Sequence, residues 1–235
     1  MEIFQTCRAK WKLAKAKGEV TRKDTRYFLA LRKTLFQMYS WLQEKDRYMS
    51  DRQVRERWDK NWWSASLDEG VLSQEEILDR ATSGWMVLED YWGKKYIEEP
   101  HLTPVGINFE FSIYPNDVHC RIHADLVLAD KKDRFCFRQF GGKQIDWQIY
   151  NSLGTKLEIL GLAEALDRPP VEKNYIDLLS KKTKIDEKNL IVTPAYLRSS
   201  MRVINNATMA IKEKAIYTSP SNSCPQCEYA GKCWL

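Results

Sequence analysis

The sequence predicts a mixed α/β fold with a central mixed sheet, because its stretches differ in hydrophobic periodicity. Most of the first hundred residues repeat apolar side chains every three to four positions, as amphipathic helices do. Three segments after Pro100 instead alternate or run apolar between turn residues, as strands do. A chain of 235 residues can bury a sizeable core, so we expect one cooperative domain.

The expected helices of the first hundred residues carry start and stop signals. A basic helix runs from Arg8 to Lys17 and ends at Gly18, a plausible C-cap. A longer amphipathic helix covers residues 24–45. Two further helices begin at capping boxes. The capping boxes are Ser50 with Gln53, and Ser73 with Glu76.

The hydrophobic pattern changes after Pro100, where we predict three strands that form a meander. They cover residues 105–114, 118–129 and 135–140. The sequences between them, Pro115-Asn116-Asp117 and Asp130-Lys131-Lys132-Asp133, are rich in turn formers.

The remaining elements complete the α/β pattern. A helix is expected over residues 146–166, since the prolines that follow Arg168 disfavour its continuation. Residues 175–179 and 190–193 are short strand candidates, whereas the polar stretch 181–188 is interpreted as a loop. A final helix over residues 194–217 leads to the C-terminal cysteines.

The chain is expected to be organised in three parts. Residues 1–100 are a mostly helical part, residues 101–217 are the α/β core, and residues 218–235 are a cysteine segment. No apolar stretch approaches membrane-spanning length, so we expect no membrane partner. The N-terminus does not resemble a signal peptide, which favours a cytoplasmic location.

Positive charge is concentrated near the N-terminus. Residues 1–65 contain 16 Lys and Arg against 8 Asp and Glu, a net charge of +8, whereas the rest of the chain sums to −3. Aromatic residues interleave with this charge, a combination that suits nucleic acid through phosphate contacts and base stacking. The alternative is that most of these rings belong to the core.

The last dozen residues hold the densest group of candidate metal ligands. Cys224, Cys227 and Cys233 lie close together, and Cys7 is the candidate for a fourth ligand. A Cys-x2-Cys pair lets two sulfurs face one centre, which suits zinc or an iron–sulfur cluster. In a reducing compartment such clustering favours metal over disulfide. We expect Cys7 as the fourth ligand and not Cys120 or Cys136, because those two lie in apolar stretches typical of buried strand cysteines.

The motifs at the chain ends resemble the iron–sulfur branch of the PD-(D/E)XK nuclease superfamily, the RecB-like exonucleases. Cys7-Arg8-Ala9-Lys10-Trp11 is similar to the family's N-terminal cysteine motif. Residues 217–233 are similar to its proline-containing C-terminal cysteine motif. The resemblance implies a restriction-endonuclease-like core and a 4Fe–4S cluster held by Cys7, Cys224, Cys227 and Cys233, with zinc as the alternative.

The same resemblance implies that the catalytic site is degenerate. Asp125 fits the family's first acid, and Glu110 lies where many relatives carry a preceding acid. Aligning the family's Gly-Lys end with Lys143 places Arg138 at the second acid and Phe140 at the catalytic lysine. Arginine cannot bind a cation, and beside Asp125 it would neutralise the magnesium position. The sequence therefore argues against Mg²⁺ and against catalysis.

Three further sequence features bear on this candidate catalytic site. Asp130-Lys131-Lys132 has acid-x-Lys spacing, but at a hairpin tip that faces away from Asp125. The family's glutamine and tyrosine positions fall on about Glu158 and Leu162. His123 is expected to lie on the same strand face as Asp125, with a structural hydrogen bond as its role.

The first hypothesis is therefore a non-cleaving, cluster-holding protein that acts as a nucleic-acid-binding or assembly subunit of a larger DNA-transaction complex. One alternative is an active metal-dependent exonuclease with a site rearranged around Glu110, Asp125 and Asp146. Another is an interaction subunit without nucleic-acid affinity, held by exposed aromatics such as Trp62-Trp63. The candidate nucleic-acid contacts are Arg8, Lys10, Lys12, Arg138 and Lys143.

Overall fold

A computed structural model describes residues 25–66, 73–141, 151–179 and 186–213. Within these ranges it contains five α-helices and a five-stranded sheet. The helices are α1 (Thr25–Lys45), α2 (Asp51–Ser66), α3 (Gln74–Glu98), α4 (Leu153–Ala165) and α5 (Pro194–Lys212). The strands are β1 (Thr103–Ile113), β2 (Cys120–Ala129), β3 (Phe135–Gly141), β4 (Glu172–Asp177) and β5 (Asp186–Ile191).

The sheet is mixed, as predicted. Its strands lie in the order β1-β2-β3-β4-β5, and β1, β2 and β3 form the expected antiparallel meander. Strand β4 is parallel to β3 and antiparallel to β5. A parallel neighbour requires a crossover connection, and α4 lies in this one.

Helices cover both faces of the sheet. Helices α1 to α3 pack on one face, against Leu126, Phe140 and Ile176. On the other face Val127 and Phe137 contact Leu162 of α4. Because successive side chains of a strand point to opposite faces, a polar residue on β2 or β3 faces one layer or the other. The face of the sheet to which each candidate side chain points therefore decides which of these side chains contact one another.

Most predicted elements are confirmed within the described residues. At the start of α3, Ser73 Oγ accepts a hydrogen bond from the Glu76 N–H at 3.2 Å, and Glu76 Oε2 accepts the Ser73 N–H at 2.8 Å. At α2, Gln53 Oε1 accepts the Ser50 N–H at 3.1 Å. The predicted helix over residues 8–17 lies outside the described residues.

The boundaries of the last two strands are corrected. Strand β4 covers Glu172–Asp177, whereas residues 175–179 were predicted. Part of the polar stretch 181–188 was interpreted as a loop, but β5 begins at Asp186 and continues to Ile191. Among the described residues β5 pairs with β4 alone, at the edge of the sheet, where polar side chains are tolerated. Its pairing partner, and not its own apolar content, therefore makes this segment a strand.

The aromatic pair Trp62-Trp63 does not form the exposed patch that the interaction hypothesis supposed. Trp62 is fully buried and stacks on Trp58, with ring centroids 5.9 Å apart. Its Nε1–H donates to the carbonyl oxygen of Ile77 at 3.0 Å. Only Trp63 is exposed, to 41%.

Helix α3 crosses α2 so closely that one position excludes any side chain. A Cβ added at Gly84 would lie 2.1 Å from Trp58 Cζ2, and Trp58 is held by a 2.8 Å hydrogen bond to the Ala81 carbonyl. We expect Gly84→Ala to lower the free energy of unfolding by about 1–3 kcal/mol, measured by urea denaturation. Gly93→Ala in the same helix is the control, since nothing lies within 4 Å of its added Cβ. Equal stability of the two variants would contradict this account of the crossing.

None of the helices in the described ranges has the length and apolar character needed to cross a bilayer.

Candidate functional site

A groove opens where β2 and β3 separate. Their ladder runs from Ala129↔Phe135 to Leu126↔Arg138, while β3 continues beside β4 as far as Gly141. At the point of separation Asp125 Oδ2 accepts a hydrogen bond from the Phe140 N–H at 2.8 Å. The groove has a volume of about 560 Å³, and α1 and α4 contribute to its walls.

Asp125, the predicted first acid, is buried at the base of this groove. An arginine from α1 pairs with its carboxylate. The Nε of Arg32 donates to Asp125 Oδ1 at 2.9 Å, and its Nη2 donates to the same oxygen. The guanidinium also lies over the Phe36 ring, 4.9 Å from its centroid. Arg32 is thus fixed by charge, hydrogen bonds and an aromatic face together.

His123 completes the arrangement around Arg32. Its Nδ1 lies 3.4 Å from Asp125 Oδ1, so the expected proximity of these two side chains is confirmed. Its Nε2 lies 2.9 Å from Asn108 Oδ1, and Arg32 Nη2 is 3.0 Å from its Nδ1. Asn108 has a φ of 47°, a left-handed conformation that asparagine tolerates.

The other candidate acid does not join Asp125. Glu110 is half-exposed and pairs with Arg121 across 3.4 Å. Within the described ranges no group of three or more His, Cys, Asp or Glu side chains is arranged to hold a metal ion. Mg²⁺ in proteins is usually held by one or two carboxylates together with waters, and among the described residues the carboxylates that line this groove are Asp125 and Glu158.

The structure corrects the predicted place of Arg138. Its side chain is 2% exposed, faces the α1–α3 layer, and pairs with Glu99 at the C-terminal end of α3. Its Nη1 also donates to the Tyr39 hydroxyl at 2.8 Å. Arg138 therefore neither lies beside Asp125 nor offers its charge to a phosphate. Arg32 holds the position next to Asp125 that the sequence had given to Arg138.

Phe140 is likewise part of the core. It is 4% exposed, and its ring packs edge-on against Phe36 and Tyr91. Alternation along β3 instead turns the intervening Gln139 toward α4, where its Nε2 donates to Glu158 Oε1 at 3.2 Å. Strand β3 thus contributes both Gln139 and Phe140 to the lining of the groove, and Gln139 is the polar one.

Glu158 is the second acid of the groove wall, and a lysine neutralises it. Lys173 of β4 is fully buried, donates to Glu158 Oε2, and lies 4.8 Å from the centroid of the Phe137 ring. Its Nζ is also 3.4 Å from Thr155 Oγ1. Each carboxylate that lines the groove, Asp125 or Glu158, is therefore matched by a cation.

The remaining candidates divide into described and undescribed residues. Asp130 forms the predicted hairpin tip, where its Oδ1 accepts the N–H groups of Lys132 and Arg134. Cys120 is buried and Cys136 half-buried, and burial raises the pKa of both thiols, as expected of strand cysteines. The other predicted residues lie outside the described residues. These are Cys7, Arg8, Lys10, Lys12, Lys143, Asp146, Cys224, Cys227 and Cys233.

Comparisons with known proteins add a likeness to solved structures. No protein-family model matches this sequence, and no curated protein matches it. The chain is similar to a solved structure titled "Crystal structure of SSO0001", with a TM-score of 0.35 and 9% sequence identity. The match covers 96% of this chain and 94% of that one.

Two residues of the site escaped the sequence interpretation. Arg32 lies on the apolar side of α1, between Phe28 and Phe36 at four-residue spacing, and a cation on such a stripe is a signal of a buried partner. Lys173 gives no such sequence signal, since its full burial is seen only in strand β4 of the structure. The sequence does not indicate the partner of either cation, because Asp125 lies 93 positions from Arg32 and Glu158 lies 15 positions from Lys173.

Proposed function

We propose that this protein is a non-cleaving member of a nuclease-like fold that binds nucleic acid, as a subunit of a larger complex. The observation that carries the proposal is the Arg32 guanidinium on Asp125. It pairs with the carboxylate that a catalytic cation would need as a ligand.

The energetics favour this arrangement over a metal ion. Arg32 gives Asp125 two hydrogen bonds on Oδ1, while the Phe140 N–H takes Oδ2. A divalent cation would have to break the ion pair and leave a partly buried guanidinium without its counter-ion, a cost of several kcal/mol. Among the described residues that line the groove it would gain one carboxylate, because Glu158 pairs with Lys173.

The binding part of the proposal is supported by charge. Residues 1–65 carry a net charge of +8, and several of their cations, such as Lys33 and Lys45, are exposed on α1. A basic surface of this kind neutralises phosphates and releases counter-ions. The proposed cofactor is a 4Fe–4S cluster on Cys7, Cys224, Cys227 and Cys233. Iron and sulfide analysis of anaerobically purified protein distinguishes it from zinc.

The cleavage test uses end-labelled single- and double-stranded DNA and RNA with Mg²⁺ or Mn²⁺. We expect no degradation by the wild-type protein, and the same result for Asp125→Ala. Metal-dependent cutting that Asp125→Ala abolishes would overturn the proposal in favour of a rearranged exonuclease.

The binding test uses the same polymers, labelled with fluorescein, in anisotropy titrations at 50–200 mM salt. We expect saturable binding that weakens as salt rises, because phosphate contacts release counter-ions. If none of the polymers binds at 50 mM salt, the nucleic-acid part of the proposal fails and a purely protein-binding subunit takes its place.

A further inference from the structure

Three cationic side chains surround one tryptophan on the N-terminal helices. The Arg57 guanidinium lies 5.3 Å from the centroid of the Trp41 ring. Lys45 Nζ and the Arg47 guanidinium each lie 5.9 Å from it. We call Trp41, Lys45, Arg47 and Arg57 the Trp41 cluster. It joins the end of α1, the following turn and α2.

The Trp41 cluster faces away from the groove. Trp41 follows Arg32 by nine positions, which on a helix of 3.6 residues per turn is half a rotation. Arg32 faces β2, whereas this side of α1 faces α2, where Asn61 Nδ2 donates to Gln37 Oε1 at 2.9 Å. The cluster is therefore a separate surface from the groove around Asp125.

The positive charges of the cluster are not balanced locally. Any two of the three cations are separated by no more than twice 5.9 Å. The three like charges therefore form one local cluster, and they repel one another most at low salt, where the screening length grows from about 10 Å at 0.1 M to about 30 Å at 0.01 M. Among the described residues none of the three forms an ion pair, although Glu44 and Asp46 are their sequence neighbours. Elsewhere on α2, by contrast, Arg52 and Arg55 each pair with an acid one turn later.

The tryptophan contributes an unsatisfied donor. Trp41 Nε1 is shielded from solvent and has no hydrogen-bond partner among the described residues. A buried donor without an acceptor costs about 1–3 kcal/mol. An anion from solvent cannot reach this shielded atom, so the part of the cluster that a polyanion can contact is its cationic side chains, of which Lys45 and Arg47 are exposed.

We propose that the Trp41 cluster binds the phosphodiester backbone of a nucleic acid. This inference rests on the proposed function and assigns its binding surface to the Trp41 cluster, where the end of α1 meets α2. A nucleic-acid strand supplies phosphates at short, regular intervals, so that one strand can meet three cations held this close together. Contacts of this kind position a nucleic acid without reading its sequence.

The test is the salt dependence of binding by a triple variant, Lys45→Ala/Arg47→Ala/Arg57→Ala. Three lost phosphate contacts should reduce the slope of log K against log salt by about 2 for single strands and about 2.7 for duplex. We also expect the triple variant to bind at least about tenfold more weakly than the wild-type protein at 100 mM salt. The matched control removes the same charge from exposed sites outside the cluster, as Arg52→Ala/Lys94→Ala/Lys131→Ala, and should keep the wild-type slope.

Two additions keep the outcome decisive. If the triple variant does not fold, as judged by circular dichroism, the double variant Lys45→Ala/Arg47→Ala removes only exposed side chains and should lower the slope by about two-thirds as much. Poly-glutamate, added as a competitor, asks whether any polyanion suffices. Competition by poly-glutamate as effective as that by nucleic acid would overturn the assignment to a phosphodiester backbone.

The inference and the proposed function can fail separately. If wild-type protein binds and both triple variants bind equally well, the Trp41 cluster is not the surface, while the proposed function stands. If wild-type protein binds no nucleic acid, the proposed function fails and this inference fails with it. If only the cluster variant binds more weakly and shows a smaller slope of log K against log salt, the result supports both the inference and the proposed function.

Discussion

Replacing Arg138 with methionine should lower the free energy of unfolding by about 3–5 kcal/mol, the largest loss expected for a single charged residue here. Its guanidinium is buried and bridges Glu99 to the Tyr39 hydroxyl. Lys95 extends the network, since its Nζ lies 2.9 Å from Glu99 and 2.7 Å from Glu187 of β5. Methionine fills similar space but leaves Glu99 with one counter-ion fewer.

Chemical denaturation of the variant measures this loss. Arg52→Met is the control, since Arg52 and its partner Glu56 are both exposed, and exposed pairs contribute about 0–1 kcal/mol. Adding Glu99→Leu to Arg138→Met removes the buried charge left behind and should recover part of the stability. A loss below 1 kcal/mol for Arg138→Met alone would contradict the structural role given to this residue.

The same network predicts how stability depends on pH. Burial acts to raise the pKa of the Glu99 carboxyl, but Arg138 and Lys95 outweigh burial and lower this pKa below its ordinary value of 4.5. A lowered pKa in the folded state means that the stabilisation is present above about pH 4.5. It is lost as the pH falls through the folded-state pKa. Denaturation curves should therefore show a decline in acid that is smaller in Glu99→Gln.

Replacing Arg32 with methionine should cost about 3 kcal/mol, toward the low end for a buried pair because Arg32 is itself partly exposed. The loss arises chiefly at Asp125, which stays buried and keeps the Phe140 N–H and His123 as its neighbours. The measurement is again chemical denaturation, at neutral pH and low salt.

A double-mutant cycle with Asp125→Asn isolates the pair. We expect a coupling of about 1–3 kcal/mol, since the two side chains are in direct contact. Arg121→Met is the matched control, because Arg121 pairs with Glu110 across a longer distance and both are exposed. Additive effects of Arg32→Met and Asp125→Asn would show that Arg32 does not hold this carboxylate, and would remove the main support for the non-cleaving function.

Several elements could be predicted because their signals are local. The capping box of Ser73 and Glu76, the turn at Asp130 and the alternation of β2 each depend on residues within a few positions of one another. The order of helices, meander and later strands followed from these signals, and with it the mixed α/β class. The start of β5 was missed because that segment becomes a strand through pairing with β4.

The site itself required the tertiary structure. By sequence alone Asp125 was identified as the acid of the site, and an arginine was expected to neutralise it. The neutralising residue is nevertheless Arg32, 93 positions away, and not Arg138. Alternation along β3 indicates that Arg138 and Gln139 face opposite sides, but it does not indicate which side carries the groove. Only the packing of α1 against the sheet decides this, because it brings the Arg32 guanidinium to the buried carboxylate of Asp125 at the point where the strands separate.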